Sequence, residues 1–486
     1  MDNVRYLLLL GVGLVLSACS RKLYPDRTQF IKDGDPIPVL DLSHYKSVQE
    51  RPGQDPELAV VVAISGGGSR AANFASGVLA ELERLYLPNG NNLLQEVDYL
   101  STVSGGGFAA GAYVAALYDH HRFFPDSTFS FRHYWEDHIQ KDLLHSYTWQ
   151  LARANVNPRL LFSYLDDGDI LERAIDNLVL GYRRRNKLSS EGRERPLRHS
   201  LTLGDFFIPK DSPQPVRFPM PFANATVLGK WVIFPFTPDM LQTYRIIGYT
   251  HRLHTRTDPD LDPYSLPLAV GIKASGSFPV LISNTTLKSA YSDKRPWLHL
   301  LDGGLADNVG FFTALEILKQ DPAPRKVLLL IDVDNAGNRP VFSKRRGAMF
   351  GLKVLTQLPS SGLDSRRVRL LQEITETCAA YDIQHVMLSF GRLLQNEGEK
   401  ELPSELWRKR ETQRLLPLLE NNAPLTPRDQ QVLYELLTAV GTKYHVSRAE
   451  QQLLFHGGRQ LVRLLHPEIL DAVTGASKLQ KDALRE

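Results

Sequence analysis

The chain has 486 residues, with 57 Lys and Arg against 54 Asp and Glu and a formal net charge of +3. So close a balance argues against a protein built to hold a polyanion, and no nucleic-acid partner is expected. Apolar residues at 43% and charged residues at 23% are ordinary globular values and exclude a mostly disordered chain.

The first element in chain order is an address. Arg5 precedes the apolar run 7–16, which as a helix covers only about 15 Å, half a bilayer core, and matches a signal-peptide h-region. It ends Leu16-Ser17-Ala18-Cys19, which resembles the bacterial lipobox, where the Cys thiol is lipidated and becomes the first mature residue. That resemblance implies a signal peptide over 1–18, acylation at Cys19 and a membrane partner reached through a lipid anchor. By resemblance to lipoprotein sorting, Ser20 rather than Asp after the Cys implies the outer membrane of a bacterial envelope. Residues 19–57, polar and holding Pro25, Pro36, Pro38, Pro52 and Pro56, read as a tether. The other cysteine, Cys378, is left without an intramolecular partner, so the fold must stand without disulfides.

Leu58 to Ile64 is a short β-branched apolar run, expected as a buried parallel strand. Ser65-Gly66-Gly67-Gly68-Ser69-Arg70 follows at once, then a helical pattern from Ala71 with Phe74, Val78 and Leu82 on one face. A glycine turn at a helix N-terminus presents N–H groups to a phosphate or a developing oxyanion. Gly66-x-Gly68-x-x-Ala71 fits a dinucleotide fingerprint formally. That fingerprint needs an acid about 20 residues on, where this chain has Leu87-Pro88-Asn89-Gly90, so a nucleotide-binding oxidoreductase is disfavoured.

Val97 to Val103 reads as a second strand, running into Ser104-Gly105-Gly106-Gly107 and a helix of small residues. This is a strand–Ser–helix elbow, with Gly105 relieving crowding after a strained nucleophile. Thr102 stands where the elbow pattern has its first glycine. A third piece, Trp297 to Gly310, is a short strand ending in Asp302-Gly303-Gly304 with Asn308 beyond; alone it reads as an Asx turn before a helix.

Taken in order, the glycine turn with Arg70, the Ser104 elbow and the Asp302-Gly303-Gly304 stretch with Asn308 resemble the patatin-like phospholipase family, relatives of the cytosolic phospholipases. The resemblance covers roughly residues 58–340 in separated blocks, including 222–235 and 270–279. It implies an α/β fold: a three-layer α/β/α sandwich with a mainly parallel central sheet. An insertion falls near 118–210, and a mainly helical part over 341–486 packs on the core. By position, it makes Ser104 the nucleophile, Asp302 its base and Gly66, Gly67 and Gly68 the oxyanion hole, with Arg70, Gly105, Gly303 and Asn308 in support. The implied substrate is a phospholipid or lysophospholipid. A non-catalytic lipid-binding or scaffolding lipoprotein is the competing class.

A Ser hydroxyl attacks an ester only when a neighbour takes its proton, and a carboxylate in a partly dry site can do so. A Ser-His-Asp triad is the mechanistic rival, since His385, His445, His456 and His466 follow Asp302. None sits in a motif-like loop, and the dyad is favoured. No Cys/His cluster has zinc spacing and no Asp-rich loop suits calcium, so neither metal nor cofactor is expected. Residues 118–180 are rich in aromatics, read mostly as core. Residues 183–199 hold seven Lys or Arg against two Glu; they read as a solvated loop or, more sharply, as a cluster drawn to anionic headgroups.

Overall fold

The computed structural model describes residues 40–144, 167–191, 200–249, 261–279, 282–290, 296–333, 370, 372–394, 404–443 and 445–475. Cys19 with its signal segment, Trp149, Phe162, Tyr164 and residues 192–199 lie outside the described residues. The centre is a nine-stranded sheet in the order β5-β6-β7-β3-β2-β1-β8-β9, with β4 paired to β3. The strands are β1 (Leu58–Ile64), β2 (Val97–Val103), β3 (Met220–Val227), β4 (Val232–Pro235), β5 (Ile246–Tyr249), β6 (Thr285–Ser289), β7 (Trp297–Asp302), β8 (Arg325–Asp332) and β9 (Ile383–Ser389).

β3, β2, β1, β8 and β9 run parallel, while β7 joins β3 antiparallel. Every residue of β1 and β2 is buried, as a strand covered on both faces must be. Helices α1 (Gly68–Leu82) and α2 (Gly105–Phe123) cross over in the same direction and lie against each other. α3 (Leu268–Ser275) packs on β3 and β7. α4 (Phe311–Gln320), between the antiparallel β7 and β8, packs on β1, β2 and β8. The α/β sandwich expected from the sequence is therefore present.

The C-terminal part is built into this core. β9 is a strand of the same sheet, and after α5 (Glu405–Glu420) and α6 (Pro427–Ala439), helix α7 (Arg448–Leu464) lies along α1. A β-carbon on Gly77 would strike the Phe455 carbonyl, so the helices touch at backbone distance. Buried Glu81 seals the contact with Arg459 at 2.8 Å and Arg463 at 2.6 Å.

Two expectations change. Residues 40–57 are no free tether: Tyr45 and Val48 are buried, and Arg51 forms a 2.6 Å ion pair with Asp98 inside the protein. Within the basic cluster, Arg184 pairs with Asp142 and buried Arg185 with Asp119, both at 3.1 Å, so these two cations hold the insertion together and do not face lipid. Among the described residues no helix is long and apolar enough to cross a membrane, and no His, Cys, Asp or Glu group is arranged to hold a metal ion.

Candidate active site

β1 and β2 end side by side, so the two turns that follow them meet. Ser104 sits between β2 and α2 at φ 49°, ψ −119°, a left-handed backbone that costs a non-glycine residue energy and lifts its side chain off the sheet edge. Its N–H donates to Ser275 Oγ at 2.8 Å, which fixes the elbow from the C-terminal end of α3. Gly105 must be glycine: a β-carbon there would strike the Gly68 carbonyl and lie against the backbone of the first turn of α1. That contact seats the glycine turn directly against the elbow.

The three glycines of that turn do different things. The Gly66 N–H donates to the Asn308 carbonyl at 3.0 Å, so it fastens the turn and is not offered to a ligand, contrary to the expectation of an oxyanion donor. Gly67 and Gly68 take φ 143° and 58°, and among the described residues their N–H groups meet no acceptor at the start of α1. These are the two N–H groups, together with the helix dipole, that suit a developing negative charge. Arg70 supports from behind. Its guanidinium is buried and donates to Val440 O at 3.1 Å and Thr442 Oγ1 at 3.2 Å, while Ser69 N–H donates to Lys443 O at 2.8 Å.

Asp302 ends β7, buried and opposite Ala225 of β3. Its N–H donates to Ser277 O at 2.9 Å, and its Oδ1 accepts from Gly304 N–H at 2.8 Å. The Ser104 side chain lies close enough to the same carboxylate to lower its proton affinity. Burial pushes the Asp302 carboxyl up to about 6, against the lowering pull of the Gly304 N–H and the Ser104 hydroxyl. Gly303 is held against the Asn224 carbonyl, and Asn308 Oδ1 lies close to both Gly66 and Gly304, so Asn308 ties the glycine turn to the Asp302 turn.

Residues to which the sequence assigned no role complete the site. Ser275 and Ser277, at the end of α3, hold Ser104 and Asp302 respectively. Below them Asn224 donates to Ser101 Oγ at 2.9 Å and accepts from Thr313 Oγ1 at 2.7 Å, a buried network joining β2, β3 and α4. Asp307 accepts from Val309, Gly310 and Phe312 N–H and so fixes the start of α4. The downstream histidines have other surroundings. His385 is on β9 near the sheet's far edge, His445 is exposed, and His466 opens the helix His466–Thr474. His456 is bonded to Gln452 and Arg459 and is held neutral, down at about 3, by burial and Arg459.

A family model for patatin-like phospholipases matches residues 62–315. Among solved structures the chain is similar to human GIVD cytosolic phospholipase A2, at 13% identity and a TM-score of 0.41, covering 87% of this chain and 61% of that one. The same human protein in complex with methyl gamma-linolenyl fluorophosphonate matches at 12% identity and a TM-score of 0.42, over 87% and 59%. VipD from Legionella pneumophila matches at 12% identity and a TM-score of 0.29, over 85% and 67%. The chain thus spans less than two thirds of the human protein's length. No curated protein matches it.

Proposed function

This chain belongs to the patatin-like phospholipase family, and we propose that it is a serine acyl hydrolase cleaving an acyl ester of a phospholipid or lysophospholipid. The observation that carries this is the Ser104 side chain set beside a buried Asp302 carboxylate whose proton affinity is raised to about 6. Such a carboxylate is still ionised at neutral pH, yet basic enough to take a hydroxyl proton in the transition state. Ser104 Oγ attacks the ester carbonyl carbon while its proton passes to Asp302. The carbonyl oxygen becomes an oxyanion facing the Gly67 and Gly68 N–H groups. Collapse expels the alcohol, which takes the proton from Asp302. Water then repeats the sequence on the acyl-enzyme, Asp302 accepting the water's proton and Ser104 leaving, to release the fatty acid. The placement of His385, His445, His456 and His466 in other surroundings supports a dyad over a triad.

The same proposal includes a lipid anchor at Cys19 in the bacterial envelope, supported by the Leu16-Ser17-Ala18-Cys19 pattern. The deciding experiment is labelling with a fluorophosphonate ester followed by peptide mass analysis. The expected adduct is on Ser104 and is lost in Ser104→Ala. A folded wild-type chain that takes no label would leave the lipid-binding scaffold as the better reading.

A further inference from the structure

Three of the eight exposed large hydrophobics among the described residues lie on one arm of the sheet: Leu228, Trp231 and Trp297, at 54%, 58% and 47% exposure. Register brings them together. β7 pairs with β6 so that Trp297 faces Lys288 and His299 faces Thr286, and Leu228 N–H donates to His299 O at 2.9 Å. Side chains alternate across a strand, so Leu228, His299, Trp297 and Lys288 share one face. The opposite face carries Val227, Leu287 and Leu300, all buried in the core. Lys288 Nζ lies 6.0 Å from the centre of the Trp297 ring, and the β3–β4 turn sets Lys230 and Trp231 beside Leu228. Trp231 stands at φ 54°, where glycine or asparagine would be at ease and a bulky ring is strained. An exposed, strained Trp does little for the fold and points to a contact outside it.

The patch sits on the catalytic edge. β3 runs parallel to β2, with Asn224 level with Val103, the residue before Ser104. Leu228 is therefore about 13 Å further along the same direction, beyond the strand ends that carry the site. Asp302, buried, is the only carboxylate on β3, β4, β6 and β7, while Lys230 and Lys288 leave the patch positive. Two exposed indoles and two lysines suit the boundary between anionic headgroups and acyl chains.

We propose that Leu228, Trp231, Trp297, Lys230 and Lys288 form a docking face that inserts into the interface of an anionic phospholipid bilayer and so sets the Ser104 edge against its substrate. This rests on the hydrolase reading for its purpose, but its binding step does not require catalysis.

The test uses the full chain carrying Cys19→Ser and Ser104→Ala, so that neither an acyl anchor nor turnover intervenes, with phosphatidylglycerol or phosphatidylcholine vesicles. Sedimentation should show tighter binding to phosphatidylglycerol. Trp231→Ser and Trp297→Ser should each weaken it about tenfold, and Lys230→Gln and Lys288→Gln about fivefold each on phosphatidylglycerol only. Brominated phosphatidylglycerol should quench the parent's Trp fluorescence, and Trp231→Phe/Trp297→Phe should still bind but lose the quenching. Unchanged sedimentation of the Trp→Ser variants, or quenching that survives in the Phe pair, overturns the proposal. A concentration-dependent dimer abolished by the same Ser changes, with vesicle binding unaltered, also overturns it and assigns the face to a second copy. With Ser104 intact, the Trp→Ser variants should turn over a water-soluble short-chain ester as the wild type does. If Ser104→Ala also turns it over normally, the hydrolase reading fails while the docking result stands.

Discussion

Gly66 and Asn308 are locked together twice: the Gly66 N–H donates to the Asn308 carbonyl at 3.0 Å, and a β-carbon on Gly66 would lie 2.5 Å from Asn308 Oδ1. The first contact ties β1's turn to the turn after Asp302, and the second leaves no room for any side chain at residue 66. Gly66→Ala should lower short-chain ester turnover at least about tenfold by prising the turns apart. Asn308→Ala keeps the backbone carbonyl and frees the space, so the double variant should lose less than the product of the two single losses. Steady-state kinetics on all four proteins checks this; multiplicative losses would mean the residues act separately.

The raised proton affinity of Asp302 fixes a pH dependence. Its carboxylate must be ionised to act as base, so kcat/KM should rise with pH through about 6 and then level off. Asp302→Asn should cut turnover by about 1000-fold or more and abolish that limb. Single Ala changes at His385, His445, His456 and His466 should leave the profile in place. A histidine variant that removes activity from a folded protein would replace the dyad with a triad.

The same shift has a stability consequence of opposite sign. Asp302 binds its proton more tightly folded than unfolded, so its contribution is full below about 3.8 and is lost as pH rises through about 6. At neutral pH the buried charge destabilises the fold by up to about 3 kcal/mol. Asp302→Asn keeps an acceptor for Gly304 N–H and removes the charge. Its unfolding midpoint in urea should exceed the wild type's at pH 8, with the gap closing by about pH 4. An Asn variant less stable at pH 8 would show that the carboxylate is better solvated than its burial implies.

Glu81 tests the seam between α1 and α7. Glu81→Ala leaves Arg459 buried without its carboxylate and should cost about 3–5 kcal/mol. Ester turnover well below the lowered Tm should stay within a few-fold of wild type, because Glu81 touches nothing in the site. A large loss in turnover without a loss in Tm would contradict this division.

The strand–turn–helix units at Gly66–Gly68 and at Ser104 were legible because each is local: apolar run, glycines and helix lie within a few residues. What escaped was made by distant partners. Ser275 and Ser277 fall in the 270–279 block, but their role shows only because α3 ends beside Ser104 and Asp302. Arg184 and Arg185 read as solvated because Asp142 and Asp119 are far away in the chain. Residues 40–57 read as tether because the partner of Arg51, Asp98, is far along the chain on β2. Gly66 was grouped with its neighbours because sequence does not tell which N–H in a glycine run already has an acceptor.

The back of the glycine turn is supplied from far outside residues 62–315. A β-carbon on Gly68 would lie 2.5 Å from the Lys443 carbonyl, which already accepts the Ser69 N–H, and Arg70 grips Val440 and Thr442. A turn made early, directly after β1, is therefore finished by a segment 370 residues further along the chain. A chain cut after residue 340 should show no ester turnover even where its sheet forms, and in refolding, activity should return only with docking of the final helices. On the hydrolase proposal, a growing chain would stay inactive until residues 440–443 have docked behind Gly68 and Arg70.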